Sequence, residues 1–268
     1  MSLLEVKGVS KYFTTPETGK EFCVFKNVHL SVDEKEFVSV LGHSGCGKST
    51  LLNIIAGIDS ASDGYAFLDG KEIGGPGLDR MVVFQNFALM PWLSVHGNIR
   101  LAVKSAFPQH SRHEINKRVQ KYIDMVGLTG VENRKPAMLS GGMRQRVGLA
   151  RAFSVEPRVL LLDEPFAQID ALTRGSIQEE LIRIWLSTGI TVFMVTHDVD
   201  EAILLSDRIM LMTPGPEAQI KDEINVNIPR PRDRSTIIEH PMYYSIRNKI
   251  IRFLSTKAVD RKELSLVA

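Results

Sequence analysis

Apolar and polar positions change rhythm several times along the chain. Residues 3–7 (LLEVK) and 27–32 (NVHLSV) alternate with the period of two expected of half-exposed strands. Phe37-Val38-Ser39-Val40-Leu41 is a short, mostly apolar run that reads as a buried strand. It stops at a glycine-rich segment, after which residues 49–56 carry apolar positions at helical spacing and Gly57 offers a stop. Residues 64–72 resemble a short hairpin arm, and Met81-Val82-Val83-Phe84 is a further strand ending at Gln85. From about 92 to 152 the texture turns helical: Ile115, Val119, Tyr122, Ile123 and Val126 share one face, with Lys and Arg opposite. Strand signals return at Val159–Leu162, Thr191–Val195 and Ile209–Met212, the first two separated by a helix around Arg174–Thr188. This alternation predicts an α/β fold with a mostly parallel, helix-covered sheet interrupted by a helical insertion. Residues 228–234 (IPRPRDR) read as a linker before a last amphipathic helix near 241–255.

Composition changes this picture little. With 268 residues and 44% hydrophobic content the chain has ample material for a buried core. Apolar stretches break well short of the roughly 18 residues that span a bilayer, and the start lacks a signal-peptide profile, so a cytosolic protein is expected. Only Cys23 and Cys46 are present, which supports neither a disulfide framework nor a zinc site. The net charge of +2 is too small to argue for nucleic acid as a partner, and none is expected. Residues 229–268 hold nine Lys/Arg against four Asp/Glu, so the basic character belongs to a tail.

The chemistry sits in three segments. Gly42-His43-Ser44-Gly45-Cys46-Gly47-Lys48-Ser49, followed by Thr50, fits the phosphate-binding loop G-x-x-x-x-G-K-[ST] between a buried strand and a helix. Its glycines let several N–H groups face one anion, and the helix tip adds positive potential. Lys48 is expected to reach the outer phosphates and Ser49 to hold Mg²⁺. The second segment is Val159–Leu162 followed by Asp163-Glu164, a strand that delivers two carboxylates to a sheet edge where ligands bind. Two adjacent acids also suit a helix cap; beside the phosphate loop, Asp163 reads as a Mg²⁺-orienting group and Glu164 as the general base. In the third, Leu139-Ser140-Gly141-Gly142-Met143 opens a helix and offers a second anion-binding tip.

With these residues together, the chain resembles the ATP-binding cassette (ABC) ATPase family, whose signature is LSGGQ, with Met143 here at the fifth position. The resemblance covers nearly the whole chain. It implies a P-loop ABC ATPase fold with an N-terminal antiparallel β arm: a core first half with the arm and phosphate loop (1–86), a helical signature subdomain (87–152), a core second half (153–215) and a basic C-terminal extension (216–268). It implies ATP and Mg²⁺ as ligands and a head-to-tail pair of ATPase subunits, identical or related, in which Ser140, Gly141 and Gly142 bind the terminal phosphate held by the opposite subunit. Gln85 fits the family's Mg²⁺ and water contact, His197 the switch histidine, and Asp170 the D-loop aspartate. Phe13 fits the aromatic that stacks on adenine, a role Tyr12 could also fill.

Two segments depart from the family pattern. Ala167-Gln168-Ile169-Asp170 carries Gln168 where relatives have alanine, and Gly97 stands where a glutamate often precedes the asparagine, weakening a helix start. Neither touches Lys48, Asp163, Glu164 or His197, so active hydrolysis is expected. Residues 87–93 (FALMPWL) make a candidate docking surface for a membrane permease or pack within the insertion. PWLSV, DEPFAQIDALTR, MTPGPEAQI and INVNIPRPRDR resemble the importer group for nitrate, sulfonates, taurine and bicarbonate. That resemblance implies transmembrane permease subunits, a solute-binding protein reached indirectly, and a peripheral place on the cytoplasmic side of the inner membrane. Soluble ABC ATPases acting on DNA or ribosomes, and exporter subunits, are the alternatives; the single phosphate loop and single signature in 268 residues disfavour the soluble types. The basic tail fits packing on the core, an anionic membrane surface or a solvated helix equally.

Overall fold

The computed structural model describes residues 2–15 and 19–265, the last ten of these as backbone only. In chain order the elements are β1 (Ser2–Thr14), β2 (Glu21–Asp33), β3 (Phe37–Gly42), α1 (Lys48–Ala56), β4 (Asp63–Leu68), β5 (Lys71–Glu72), β6 (Arg80–Val83), α2 (Val95–Ala106), α3 (Arg112–Met125), α4 (Gly141–Phe153), β7 (Val159–Asp163), α5 (Ala171–Thr188), β8 (Thr191–Thr196), α6 (Val199–Leu205), β9 (Arg208–Met212), β10 (Ile220–Asn225) and α7 (Pro241–Ser265). They fall into two compact units, one of Met1–Pro76 with Thr191–Ala268 and one of Gly77–Ile190.

In the first unit β1 pairs antiparallel with both β2 and β4, and β4 with β5, giving the arm. The core strand β3 lies parallel between β8 and β9, and β10 closes the β9 edge antiparallel. All six residues of β3 and of β8 are buried, as expected of strands apolar on both faces. Helix α1 stops at Gly57, whose φ of +75° and whose approach to Gly75 O, 2.2 Å from where a Cβ would stand, admit only glycine.

Three features here differ from the sequence expectations. Strands β1 and β2 run thirteen residues each, joined through irregular register. Helix α6 and strand β10 were not foreseen. The expected linker is a brace: the buried Arg232 guanidinium donates to the carbonyls of Ile203 (3.0 Å), Ser206 (2.5 Å), Val226 (2.9 Å) and Ile228 (3.0 Å). It thereby satisfies carbonyls that the end of α6 leaves unpaired. Burial and the neighbouring Arg230 push the Arg232 pKa down to about 10.

In the second unit β6 and β7 are parallel neighbours, and all five residues of β7 are buried. Helix α3 begins with a reciprocal cap, Ser111 Oγ accepting from Glu114 N while Glu114 accepts from Ser111 N. Its predicted inner face holds: Ile115, Val119, Tyr122 and Ile123 are buried. Tyr122 donates to Glu156 at 3.0 Å, and burial followed by that bond pushes its hydroxyl up to about 12.

Candidate functional site

Residues 43–47 turn the chain between the buried end of β3 and the start of α1. Gly45 and Gly47 have φ of +79° and +100°, the left-handed region that strains any residue with a Cβ. A Cβ on Gly47 would lie 2.6 Å from Val24 Cγ1, and one on Gly42 would lie 2.8 Å from Met212 O. No side chain caps α1, because Gly47 occupies the cap position. The tip therefore presents its dipole's positive end and backbone donors to a ligand. Lys48 is buried, and its ammonium donates to Gly42 O at 2.9 Å and His43 O at 3.0 Å. The loop's own carbonyls thus hold the cation at the place where an anion would be drawn. Ser44 and Ser49 are exposed, Thr50 is half-buried, and Cys46 packs inward.

His197 stands exposed between β8 and α6. The turn is pinned on both sides: Thr196 Oγ1 accepts from Asp198 N at 3.0 Å and donates to Glu201 at 3.1 Å, while Asp198 caps α6 by accepting from Asp200 N and Glu201 N. Of the two aromatic candidates, Phe13 is 47% exposed with Lys11 Nζ 5.0 Å from its ring centroid. Tyr12 is half-buried, so Phe13 offers the more open face for stacking.

In the second unit, β7 ends on buried Asp163, and Glu164 follows with a φ of +43°, a conformation that costs a branched or long side chain about 1–2 kcal/mol. Gln85 Nε2 lies 3.5 Å from Glu164 Oε2. At the tip of α4, Ser140 Oγ accepts from Met143 N at 3.2 Å. A Cβ on Gly141 would lie 3.1 Å from Gln168 O, and one on Gly142 2.6 Å from Thr173 Cγ2. The signature glycines let this tip pack against the start of α5. Asp170 caps α5 by accepting from Thr173 N at 2.9 Å, and that bond holds its carboxyl below the ordinary carboxylate range. The unusual Gln168 side chain is exposed, so only its carbonyl enters this packing.

Residues 87–93 divide between the two readings the sequence left open. Phe87 is buried and Trp92 is 67% exposed. Arg151 holds the loop by donating to Phe87 O and Ala88 O. Asn98 fixes its far end, accepting from Met90 N at 2.8 Å and donating to Met90 O, Leu93 O and Ser94 O. The helix start flagged as weak at Gly97 is reinforced, since Gly97 N donates to the Ser94 cap. Sequence reasoning missed Arg151, Arg232 and this role of Asn98; a polar residue within an apolar helical face was the one available signal, and it pointed to Asn98 alone. His110, weighed as a metal ligand with His113, stacks on the Phe107 ring at 4.9 Å.

Residues 25–167 match the family model described as ABC transporter. The chain belongs to the ABC transporter family. Among its ABC relatives, the nitrate import ATP-binding protein NrtC of Synechocystis sp. is 48% identical over 98% of this chain but only 39% of its own length. The chain thus spans about two fifths of the first curated relatives it matches. The bicarbonate transport ATP-binding protein CmpD of Synechococcus elongatus is 49% identical over 94% of this chain and 90% of its own length. A solved ABC cassette, the dimeric post-hydrolysis state of MJ0796 bound to ADP and Pi, matches with a TM-score of 0.74 at 32% identity, covering 84% of this chain and all of that one. The α/β fold is therefore that of the ABC ATPases.

Proposed function

We propose that this chain is the ATP-hydrolysing subunit of an ABC importer for a small anionic solute of the nitrate, sulfonate, taurine or bicarbonate type. The observation that carries the ATPase reading is the glycine loop that holds a buried Lys48 at an uncapped helix tip. The importer reading is supported by near full-length similarity to CmpD. No described helix is long and apolar enough to cross a membrane, and in this reading transmembrane permease subunits supply the solute path, with a solute-binding protein reached indirectly. The ATPase then works as a peripheral subunit on the cytoplasmic side of the inner membrane. Segments 1–86, 87–152, 153–215 and 216–268 are read as first core half, signature subdomain, second core half and C-terminal extension.

In this reading the loop from Gly42 to Thr50 cradles the phosphates of ATP, Phe13 stacks on adenine, and Lys48 leaves its carbonyls to bind the outer phosphates. Ser49, Asp163 and Gln85 are oxygen donors of the kind Mg²⁺ takes, and that ion when bound would neutralise and orient the phosphate oxygens. Glu164, oriented by Gln85, accepts a proton from the attacking water, and His197 supports that water at the terminal phosphate. Ser140, Gly141 and Gly142 of a second cassette, identical or related, close on the same phosphate, with Asp170 holding the start of α5 beside them.

Replacing Glu164 by Gln should leave ATP binding intact and lower phosphate release at least roughly a hundredfold. Equilibrium binding and single-turnover hydrolysis on the purified chain measure the two separately. Normal turnover in that variant, or no ATP binding by the wild type, would sink the proposal.

A further inference from the structure

The first unit contains a connection that the ATPase reading does not use. Helix α7 buries Tyr243, Ile246 and Ile250 and is tied to three different elements. Tyr243 Oη donates to Asp200 at 2.7 Å and Arg247 Nε to the same carboxylate at 2.9 Å. Lys249 pairs with Asp222 of β10 at 3.0 Å. Near the described end of the side chains, His43 Nε2 donates to Leu254 O at 3.0 Å.

Two of these partners sit beside groups that bear the chemistry. Asp200 lies in the first turn of α6, three residues after His197, in the turn pinned by Thr196 and Asp198. His43 lies directly after Gly42, and its carbonyl accepts from Lys48 Nζ while its ring reaches α7. A movement of α7 is therefore transmitted at one end through His43 to the backbone of the glycine loop, and at the other through one carboxylate to the turn that carries His197. The far end of α6 gives little slack, because Arg232 and Arg230 hold the carbonyls from Ile203 to Ser206.

We propose that α7 is a strut joining the phosphate loop to the switch-histidine turn, and that His43, Tyr243 and Arg247 are positioning residues for ATP hydrolysis. This rests on the ATPase reading. A strut acts only while both ends are fastened, so releasing either end forfeits the coupling, and releasing the second end then adds little. Two independent structural contacts would behave additively.

The test is a double-mutant cycle on the full chain with ATP: His43→Ala at the loop end, Tyr243→Phe with Arg247→Gln at the other, and all three together. Each single end should lower kcat roughly tenfold, the scale expected for sub-ångström misplacement of reacting groups, and the combined variant should fall less than about threefold further. His43→Gln, whose amide can still donate to Leu254 O, should recover most of the activity lost in His43→Ala. Melting temperatures of all variants identify any that fail to fold, in which case Tyr243→Phe carries the α6 end and His43→Phe, which keeps a ring but has no donor for Leu254 O, carries the loop end. Additive losses, or wild-type kcat in either single-end variant, would overturn the strut. The wild type and Glu164→Gln are assayed beside them: absence of ATP turnover in the wild type counts against the ATPase reading, whereas wild-type turnover with an additive cycle counts against the strut alone.

Discussion

Helices α1 and α4 both begin with glycines, yet the glycines serve different needs. At α1 they shape the backbone: Gly47 is the cap itself, in a left-handed conformation, and it makes no side-chain cap bond. At α4 the cap is Ser140, which already takes Met143 N, and Gly141 and Gly142 are small because α5 and the chain before it lie against them. One tip carries a glycine cap with no side-chain bond; the other is trimmed so that helices can approach. The same residue type therefore predicts different consequences when it is replaced.

The largest effect is expected for Gly47→Ala, which adds left-handed strain and a clash with Val24 and Phe25, together about 3 kcal/mol. Nucleotide affinity should fall at least roughly a hundredfold, with a lower denaturation midpoint; retained affinity would mean that the loop tolerates a Cβ and the contrast between the tips is false. Gly142→Ala meets only the methyl of Thr173 and the end of Ile177, so its cost in stability should be about 1–2 kcal/mol. ATP binding by the isolated chain should survive while turnover drops roughly tenfold, and adding Thr173→Ser, which removes the clashing methyl, should restore part of it.

The smallest effect concerns two buried tyrosines, one in each unit. Tyr122 and Tyr243 are both pushed up to about 12, first by burial and then by bonds to Glu156 and Asp200. A phenol whose folded pKa exceeds its unfolded value of 10.0 contributes fully below the unfolded value and loses that contribution as pH rises toward the folded one. Urea midpoints at about pH 9 and about pH 11 should therefore fall more steeply for the wild type than for Tyr122→Phe or Tyr243→Phe. Parallel slopes would show that these hydroxyls ionise as freely as exposed ones.

Much of the fold was legible because its signals are local. The buried strands β3, β7 and β8 announce themselves as apolar runs, and the loop from Gly42 to Ser49 is a contiguous pattern between a strand and a helix. Helix α6 escaped notice because seven residues give under two full turns of periodicity, and β10 because an edge strand reading IKDEIN is half polar. Phe13 and Tyr12 could not be separated until their exposures were known. The stretch IPRPRDR reads as a linker because nothing in its own composition tells where the four carbonyls that Arg232 meets lie.

The sequence by itself determined the α/β class and marked the glycine loop, the carboxylate pair and the serine-glycine helix tip as candidates, since each is written in consecutive residues with their own backbone preferences. Only the tertiary structure decided that Glu164 sits strained beside Gln85, that Gly142 must stay small for Thr173, and that His43 meets Leu254. Those contacts join positions 31 to 211 residues apart, and no local propensity encodes which distant surface the folded core will bring to a given side chain.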